Sequence, residues 1–263
     1  MKARIAGAEI AYDVQGQGPP LLFLHAFPLG LFMWDAAAAE LARDHTVVRF
    51  DARGFGGSPP GDGPLSMERI ADDGVALLDH LGLGQAVVAG CSMGGYAAFA
   101  LVRRNPGRLR GLVLIDTRAE PDTPEGRSNR ALLAEKVLKE GSSAAAESFL
   151  PRLLGETTRR DAPDLVAALD ARIRANPPRG IANALLGLGA RADSRPTLHE
   201  IGVPTLVVGG AEDTFTPPAD IEALARGIAG ARHVILPRSG HLPSVEAPEA
   251  LNRALRDFLG GPA

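Results

Sequence analysis

Six short aliphatic runs constrain this chain more than any other feature. Four lie in the first half: "LLFLH" (Leu21 to His25), "TVVRFD" ending at Asp51, "AVVAG" ending at Gly90 and "LVLID" ending at Asp116. Two follow later, "PTLVVGG" from Pro204 to Gly210 and "HVILP" from His233 to Pro237. A nearly continuous apolar run, rather than an alternating one, predicts a strand covered on both faces, as in a parallel sheet flanked by helices. Helical patterns separate the early runs. One places Ile70, Leu77, Leu78 and Leu81 on a single face after a capping residue, Ser66. Upstream, Ile10, Tyr12 and Val14 alternate with polar or small residues and predict a half-buried edge strand. The order strand, helix, strand predicts an α/β fold whose ligand site lies at the carboxyl ends of the strands.

The alternation stops after Asp116. From Arg118 to Leu198 the chain is rich in Ala, Leu and Arg, broken by Pro121, Pro124, Pro151, Pro163, Pro177 and Pro178, and carries no strand signal. We therefore expect a core domain formed by residues 1–117 and 199–263, with residues 118–198 inserted as a helical cap above the strand ends. The cap holds thirteen basic and eleven acidic residues. Its arginines suit a solvated surface, with an anion site as the alternative.

Composition narrows the partners. A net charge of −3 with no basic run argues against a nucleic-acid partner. Cys91 is the only cysteine, so neither a disulfide framework nor a cysteine-based metal site is expected. Leu81 to Val102 is uncharged and about as long as a membrane span, but its glycines and Ser92 fit a buried strand and helix better. The opening "MKARIAGAEIAYDV" lacks an apolar stretch of signal-peptide length. A cytoplasmic protein without a membrane partner is expected.

Gly90, Cys91, Ser92, Met93 and Gly94 fit GxSxG, a turn that presents a serine nucleophile above a sheet. Chance yields that pattern in roughly one chain in ten of this length. Context decides, because "AVVA" before it and "YAAFALV" after it supply the strand and the helix that the turn must join. Cys91 lacks the flanking glycines and is expected to pack beside the site. A serine hydroxyl needs a base, and the base needs a partner that fixes its tautomer. Of six histidines, His241 in "SGHLPSVEAP" is the best placed, between the last strand and the last helix; no pair of histidines has metal-ligand spacing. Glu212, Asp213, Asp116 and Asp51 all lie near strand ends. Asp213, in the loop after the penultimate strand, gives the order Ser, Asp, His expected of this arrangement, and Asp116 is its rival. Asp51 reads as a structural residue of a tight turn with Arg53 and Gly54. The oxyanion donors expected are the backbone N–H groups of Met93 and of Phe27 in "HAFP". Phe32, Trp34, Phe149 and Phe215 are candidates for the substrate pocket, with core or cap packing as the alternative for each.

Together, "FLHAFPL", "FDARGFGGS", "GCSMGGY", "GGAEDTFTPP" and "GHLPSVEAP" resemble the α/β-hydrolase superfamily over nearly the whole chain. The resemblance is nearest to small bacterial carboxylesterases and enol-lactonases, and "LIDTRAEPDTPEGRSNR" is similar to the cap entry of those esterases. It implies a serine carboxylesterase acting on small esters through an acyl-enzyme, with no metal or organic cofactor. Three alternatives accompany it: an enol-lactonase using the same residues, a perhydrolase side activity associated with a proline such as Pro28, and a non-turnover receptor for a small ligand. Dehalogenases and epoxide hydrolases of similar plan use aspartate where this chain has Ser92. Ala26 departs from the glycine that many relatives carry after the strand-ending histidine.

Overall fold

The computed structural model describes residues 1–260; residues 261–263 of the expected core segment lie outside them. Eight strands follow one another as β1 (Lys2–Ile5), β2 (Ala8–Gln15), β3 (Pro20–Leu24), β4 (Thr46–Phe50), β5 (Ala86–Cys91), β6 (Leu109–Ile115), β7 (Thr205–Gly210) and β8 (Arg232–Leu236). They form one sheet in the order β1-β2-β4-β3-β5-β6-β7-β8. Strands β3 to β8, which are the six aliphatic runs, pair in parallel, whereas β2 is antiparallel to β1 and to β4. The expectation of an edge strand at Ile10 to Val14 is corrected here, since β1 covers that edge, pairing Lys2 with Ala11 and Ile5 with Ala8. "KARI" is too short to show a period of its own.

Helices α1 (Asp35–Leu41), α2 (Met67–His80) and α3 (Met93–Arg104) lie among the first six strands. Between β6 and β7 come α4 (Pro124–Glu140), α5 (Ser143–Leu153), α6 (Glu156–Asp161), α7 (Pro163–Arg174) and α8 (Pro178–Gly189), with no intervening strand. Helices α9 (Pro218–Arg226), α10 (Pro243–Glu246) and α11 (Pro248–Leu259) complete the described chain. Ser66 caps α2 as expected, its Oγ accepting from the Arg69 N–H at 3.1 Å, a contact worth about 1 kcal/mol. Ile70, Leu77 and Leu78 face inward from that helix, while Leu81 forms its C-cap.

Successive residues of a strand point to opposite faces, so each aliphatic run feeds two cores at once. Leu22, Leu24, Val88, Leu112 and Leu114 pack with α2, α3 and α9. Leu21, Phe23, Ala89, Val113 and Ile115 pack with α1, α10 and α11. This explains why the runs do not alternate. The uncharged stretch from Leu81 to Val102 resolves into a helix cap, β5 and α3, and no helix among the described residues is long and apolar enough to cross a membrane.

The sheet order reverses at β3, whose chain continues to β4 on one side and, after α2, to β5 on the other. A crevice opens at such a switch point, outside the carboxyl ends of the strands. Register aligns Leu24 with Gly90 and Gly90 with Leu114, so the loops after β3, β5 and β6 emerge side by side. The helical segment reaches over them and is tied down by Asn176, whose Nδ2 donates to Pro28 O at 2.9 Å and whose Oδ1 accepts from Gly56 N at 3.0 Å.

Candidate active site

Ser92 joins β5 to α3 with φ 50° and ψ −109°, a conformation that costs a non-glycine residue about 1–3 kcal/mol. The surroundings hold it there. Its N–H donates to Ile115 O at 2.9 Å, and its carbonyl accepts from Thr117 Oγ1 at 3.0 Å. The flanking glycines have a steric cause: a Cβ on Gly90 would collide with the Gly94 carbonyl, and one on Gly94 with the Leu24 carbonyl. Cys91 is fully buried beside the turn, its Sγ 3.6 Å from His241 O. Full burial pushes its thiol pKa well up, which disfavours it as a competing nucleophile.

His241 follows β8, and its N–H donates to Leu153 O of α5 at 3.2 Å. Its Nδ1 lies 2.6 Å from Asp213 Oδ2 and its Nε2 2.8 Å from Ser92 Oγ. With the proton on Nδ1 and donated to Asp213, Nε2 is left to accept from the serine hydroxyl. Asp213 also accepts from Phe215 N at 2.7 Å and from Thr216 Oγ1. Burial opposes its charge, but the His241 imidazole and these donors outweigh burial and hold the carboxyl well below its ordinary pKa.

The competing residues go elsewhere. Asp116 Oδ1 accepts from Gly210 N at 2.8 Å, and its Oδ2 has no partner among the described residues. Burial, and then the neighbouring Asp213 charge, push its pKa well up, which favours the neutral form of this carboxyl. Glu212 turns away to accept from the backbone and hydroxyl of Thr157 at the start of α6. Asp51 is structural, but its partners are Leu31 N (2.7 Å) and Gly57 N (2.9 Å). Arg53 instead forms a bidentate pair with the buried Asp73 of α2. His25 accepts from Ala52 N at 2.9 Å through Nε2, and burial lowers its pKa, in keeping with a neutral structural ring. Asp116, Asp213 and His241 bring ligand atoms within 4.8 Å of one another, the spacing of a metal site. Both ring nitrogens of His241 are already engaged, one by a carboxylate and one by a hydroxyl, so the set serves proton transfer better than coordination.

A cavity of about 130 Å³ opens above Ser92 and His241. Phe27, Phe149 and Phe215 line one side of it, with ring centroids 5.0 Å apart for Phe27 and Phe149 and 6.0 Å for Phe149 and Phe215. Two aromatic candidates are not there. Trp34 is fully buried against Phe23 in the core beneath α1, and Phe32 lies under the Arg172 guanidinium on the same side of the sheet. Both follow the loop after β3 in sequence, but the short helical turn from Leu31 to Trp34 carries them away from the strand ends. Among the described residues, neither Phe27 N–H nor Met93 N–H has a hydrogen-bond partner, and Met93 opens the 12-residue helix α3. The other side of the cavity is polar, lined by Tyr96, Arg118, Asp122, Arg130 and Arg191. Three arginines of the helical segment therefore leave the solvated surface expected of them. Arg130 is on α4, Arg191 follows α8 and Arg118 follows β6, so the helical segment and the end of β6 together bring them to the cavity.

A family model described as alpha/beta hydrolase fold matches residues 19–248. The chain belongs to the α/β-hydrolase family. It is 32% identical over 245 residues to 3-oxoadipate enol-lactonase 2 of Acinetobacter baylyi, covering 93% of this chain and 90% of that one. Among solved structures, a thermophilic esterase from Thermogutta terrifontis with malate bound superimposes with a TM-score of 0.96 at 42% identity, covering 99% of this chain and 97% of that one. The enol-lactonase from Burkholderia xenovorans LB400 superimposes with a TM-score of 0.92 at 31% identity, covering 99% and 100%. As an α/β-hydrolase, the chain has the mostly parallel eight-stranded sheet flanked by helices that the aliphatic runs imply.

Proposed function

We propose that this α/β-hydrolase cleaves small carboxylic esters through an acyl-enzyme on Ser92. The observation that carries the proposal is the unbroken contact from Asp213 through His241 to Ser92, at 2.6 and 2.8 Å, ending at a strained turn beneath a cavity. Ser92 Oγ attacks the carbonyl carbon as its proton passes to His241 Nε2. The oxyanion is held by the Met93 and Phe27 N–H groups, each such donor contributing about 2.7–4 kcal/mol of transition-state stabilisation. Collapse breaks the bond to the alcohol oxygen, which takes the proton from His241 and leaves. Water then gives its proton to His241 and attacks the acyl carbon, and the second collapse returns the proton to Ser92 and frees the acid.

The cavity is small beside the roughly 300–1,000 Å³ of drug-sized sites, which favours short substrates. The Thermogutta esterase, with its bound carboxylic acid, supports a site that releases such acids. A lactone reading has its own support, because two of the similar proteins are enol-lactonases. The same steps open a cyclic ester, with acid and alcohol retained in one product. A series of p-nitrophenyl esters of increasing acyl length, run beside simple lactones, tests both. The expected result is hydrolysis of the shortest esters that disappears in Ser92→Ala. Near-wild-type turnover by folded Ser92→Ala protein would overturn the mechanism.

A further inference from the structure

The junction from Leu153 to Thr157, where α5 ends and α6 begins, lies directly on the two loops that carry Asp213 and His241. Three buried glycines make the approach possible. A Cβ on Gly210 would stand 2.0 Å from Gly240 O, one on Gly240 2.2 Å from Gly155 N, and one on Gly155 2.9 Å from Gly240 N. The backbones therefore meet with no side chain between them. The His241 N–H donates to Leu153 O at 3.2 Å, so the base takes its main-chain position from the helical segment as well as from β8.

Two carboxylates hold this contact, and neither lines the cavity above Ser92. Glu246, at the end of α10, accepts from Leu242 N at 2.9 Å through Oε1 and from Gly155 N at 2.7 Å through Oε2. One side chain thus joins the residue after His241 to the helical segment. Glu212, the residue before Asp213, accepts from Thr157 N at 2.8 Å through Oε2 and from Thr157 Oγ1 at 2.5 Å through Oε1, while its own N–H donates to Ser239 O at 2.8 Å. The two sites differ in what they demand. Both groups facing Glu246 are backbone N–H donors, which a carboxylate satisfies together, whereas an amide has one acceptor oxygen and would set its NH₂ against the second donor. At Glu212 one partner is a hydroxyl, which accepts as well as donates, so an amide there can keep both contacts.

We propose that Glu246 and Glu212 are positioning residues of the hydrolase, clamping the α5–α6 junction onto the loops of His241 and Asp213. The helical segment then aligns the base with Ser92 in addition to covering the cavity. Misplacing a catalytic group by about 1 Å can cost about 10²-fold in rate, so a loosened clamp lowers kcat. Substrate binding changes far less, because neither carboxylate reaches the cavity. This inference rests on the ester-hydrolase reading above and adds the groups that align its base.

The test measures p-nitrophenyl acetate hydrolysis per active site. Sites are counted by the p-nitrophenol released as diethyl p-nitrophenyl phosphate phosphorylates Ser92, and the rate constant of that labelling is recorded as well. In Glu246→Gln, kcat per site is expected to fall about tenfold or more with KM within about threefold of wild type, and the labelling rate constant to fall in parallel. Glu212→Ala is expected to lose about fivefold or more per site, and Glu212→Gln to recover most of that loss. A carboxylate that only held the fold together would lower the number of sites and leave kcat per site intact. If Glu246→Gln yields no folded protein, the Glu212 pair decides alone. Wild-type kcat per site in either Glu246→Gln or Glu212→Ala, or a Glu212→Gln variant no faster than Glu212→Ala, would overturn the clamp. Ester hydrolysis that is abolished in Ser92→Ala but unchanged per site in the clamp variants would leave the esterase standing without the clamp. Slowed labelling of Ser92 in the clamp variants of a protein that turns over no ester would leave the clamp standing without the esterase.

Discussion

Asp116 and Asp213 each bring a carboxyl oxygen within 4.8 Å of a His241 ring nitrogen, and only Asp213 bonds to the ring. Two buried carboxylates this close cannot both remain charged without mutual cost. Their surroundings divide the roles. Asp213 has the imidazole, the Thr216 hydroxyl and a backbone N–H to stabilise its charge, whereas Asp116 has one backbone N–H, from Gly210, and full burial. The charged form is favoured in the first and the neutral form in the second.

Asp213→Asn tests the first role. An amide in that position can present its NH₂ to Nδ1, which then favours the imidazole tautomer with the proton on Nε2, the wrong one for accepting from Ser92. Loss of the tautomer and of the compensating charge typically lowers kcat by about 10⁴. Steady-state kinetics on a neutral short-chain ester should show that loss with KM changed far less. A loss under tenfold would transfer the orienting role to Asp116.

Asp116→Asn tests the second through stability. Asp116 has a raised pKa in the folded protein, so the folded state keeps a proton that the unfolded state releases once pH exceeds about 3.9. The unfolded state then binds fewer protons, and stability falls as pH rises from that value toward the folded pKa. Asparagine removes the titration while keeping an oxygen for Gly210 N. The variant is expected to melt above wild type at pH 8, with a gap that narrows steadily toward pH 4. Each kcal/mol regained raises Tm by about 2–4 °C at this size. A gap independent of pH would mean that Asp116 is not protonated in the native state.

The contact chain of Ser92, His241 and Asp213 was legible in the sequence because each residue sits in a loop directly after a strand that announces itself: β5 for Ser92, β7 for Asp213 and β8 for His241. Buried parallel strands are the most distinct signal a chain of this class carries, and the loops inherit their position. The pocket was not legible in the same way. Phe149 on α5 and Arg130 on α4 reach the cavity only through the packing of helices whose own burial patterns are weak, α4 burying just Ala134 and Val137. Phe32 and Trp34, a few residues past Phe27, looked equally suitable, but one short turn directs Trp34 into the core beneath α1 and Phe32 under the Arg172 guanidinium. Likewise β1 escaped notice because it gains its partner from β2 and not from its own four residues.

Backbone strain at Ser92 makes a separate prediction. Alanine at this position removes the hydroxyl but inherits φ 50°, whereas glycine adopts that conformation without steric penalty. Both variants should lose ester hydrolysis. In chemical denaturation Ser92→Gly is expected to be more stable than Ser92→Ala by about 1 kcal/mol, the strain relieved outweighing the added entropy of the unfolded glycine. Equal midpoints, or a less stable glycine variant, would show that the turn is not strained at this residue.

Phe149 sets the length of the apolar side. Its ring touches Phe27 on one side and Phe215 on the other, and Phe215 in turn lies 5.0 Å from the His241 ring. The side chain is only partly buried, so truncation opens the cavity toward solvent instead of leaving a sealed void in the core, and the stability cost should fall below the roughly 3–5 kcal/mol typical of a buried Phe→Ala change. With Phe149→Ala, the best p-nitrophenyl ester should move to a longer acyl chain, through a lower KM for the long esters and a higher KM for the shortest, which lose an aromatic wall. Ser92, Asp213 and His241 lie on other elements, so kcat for each variant's best ester should change much less than the preference does. An unaltered chain-length profile in Phe149→Ala would place the acyl group outside this cavity and remove the aromatic side from the substrate's path.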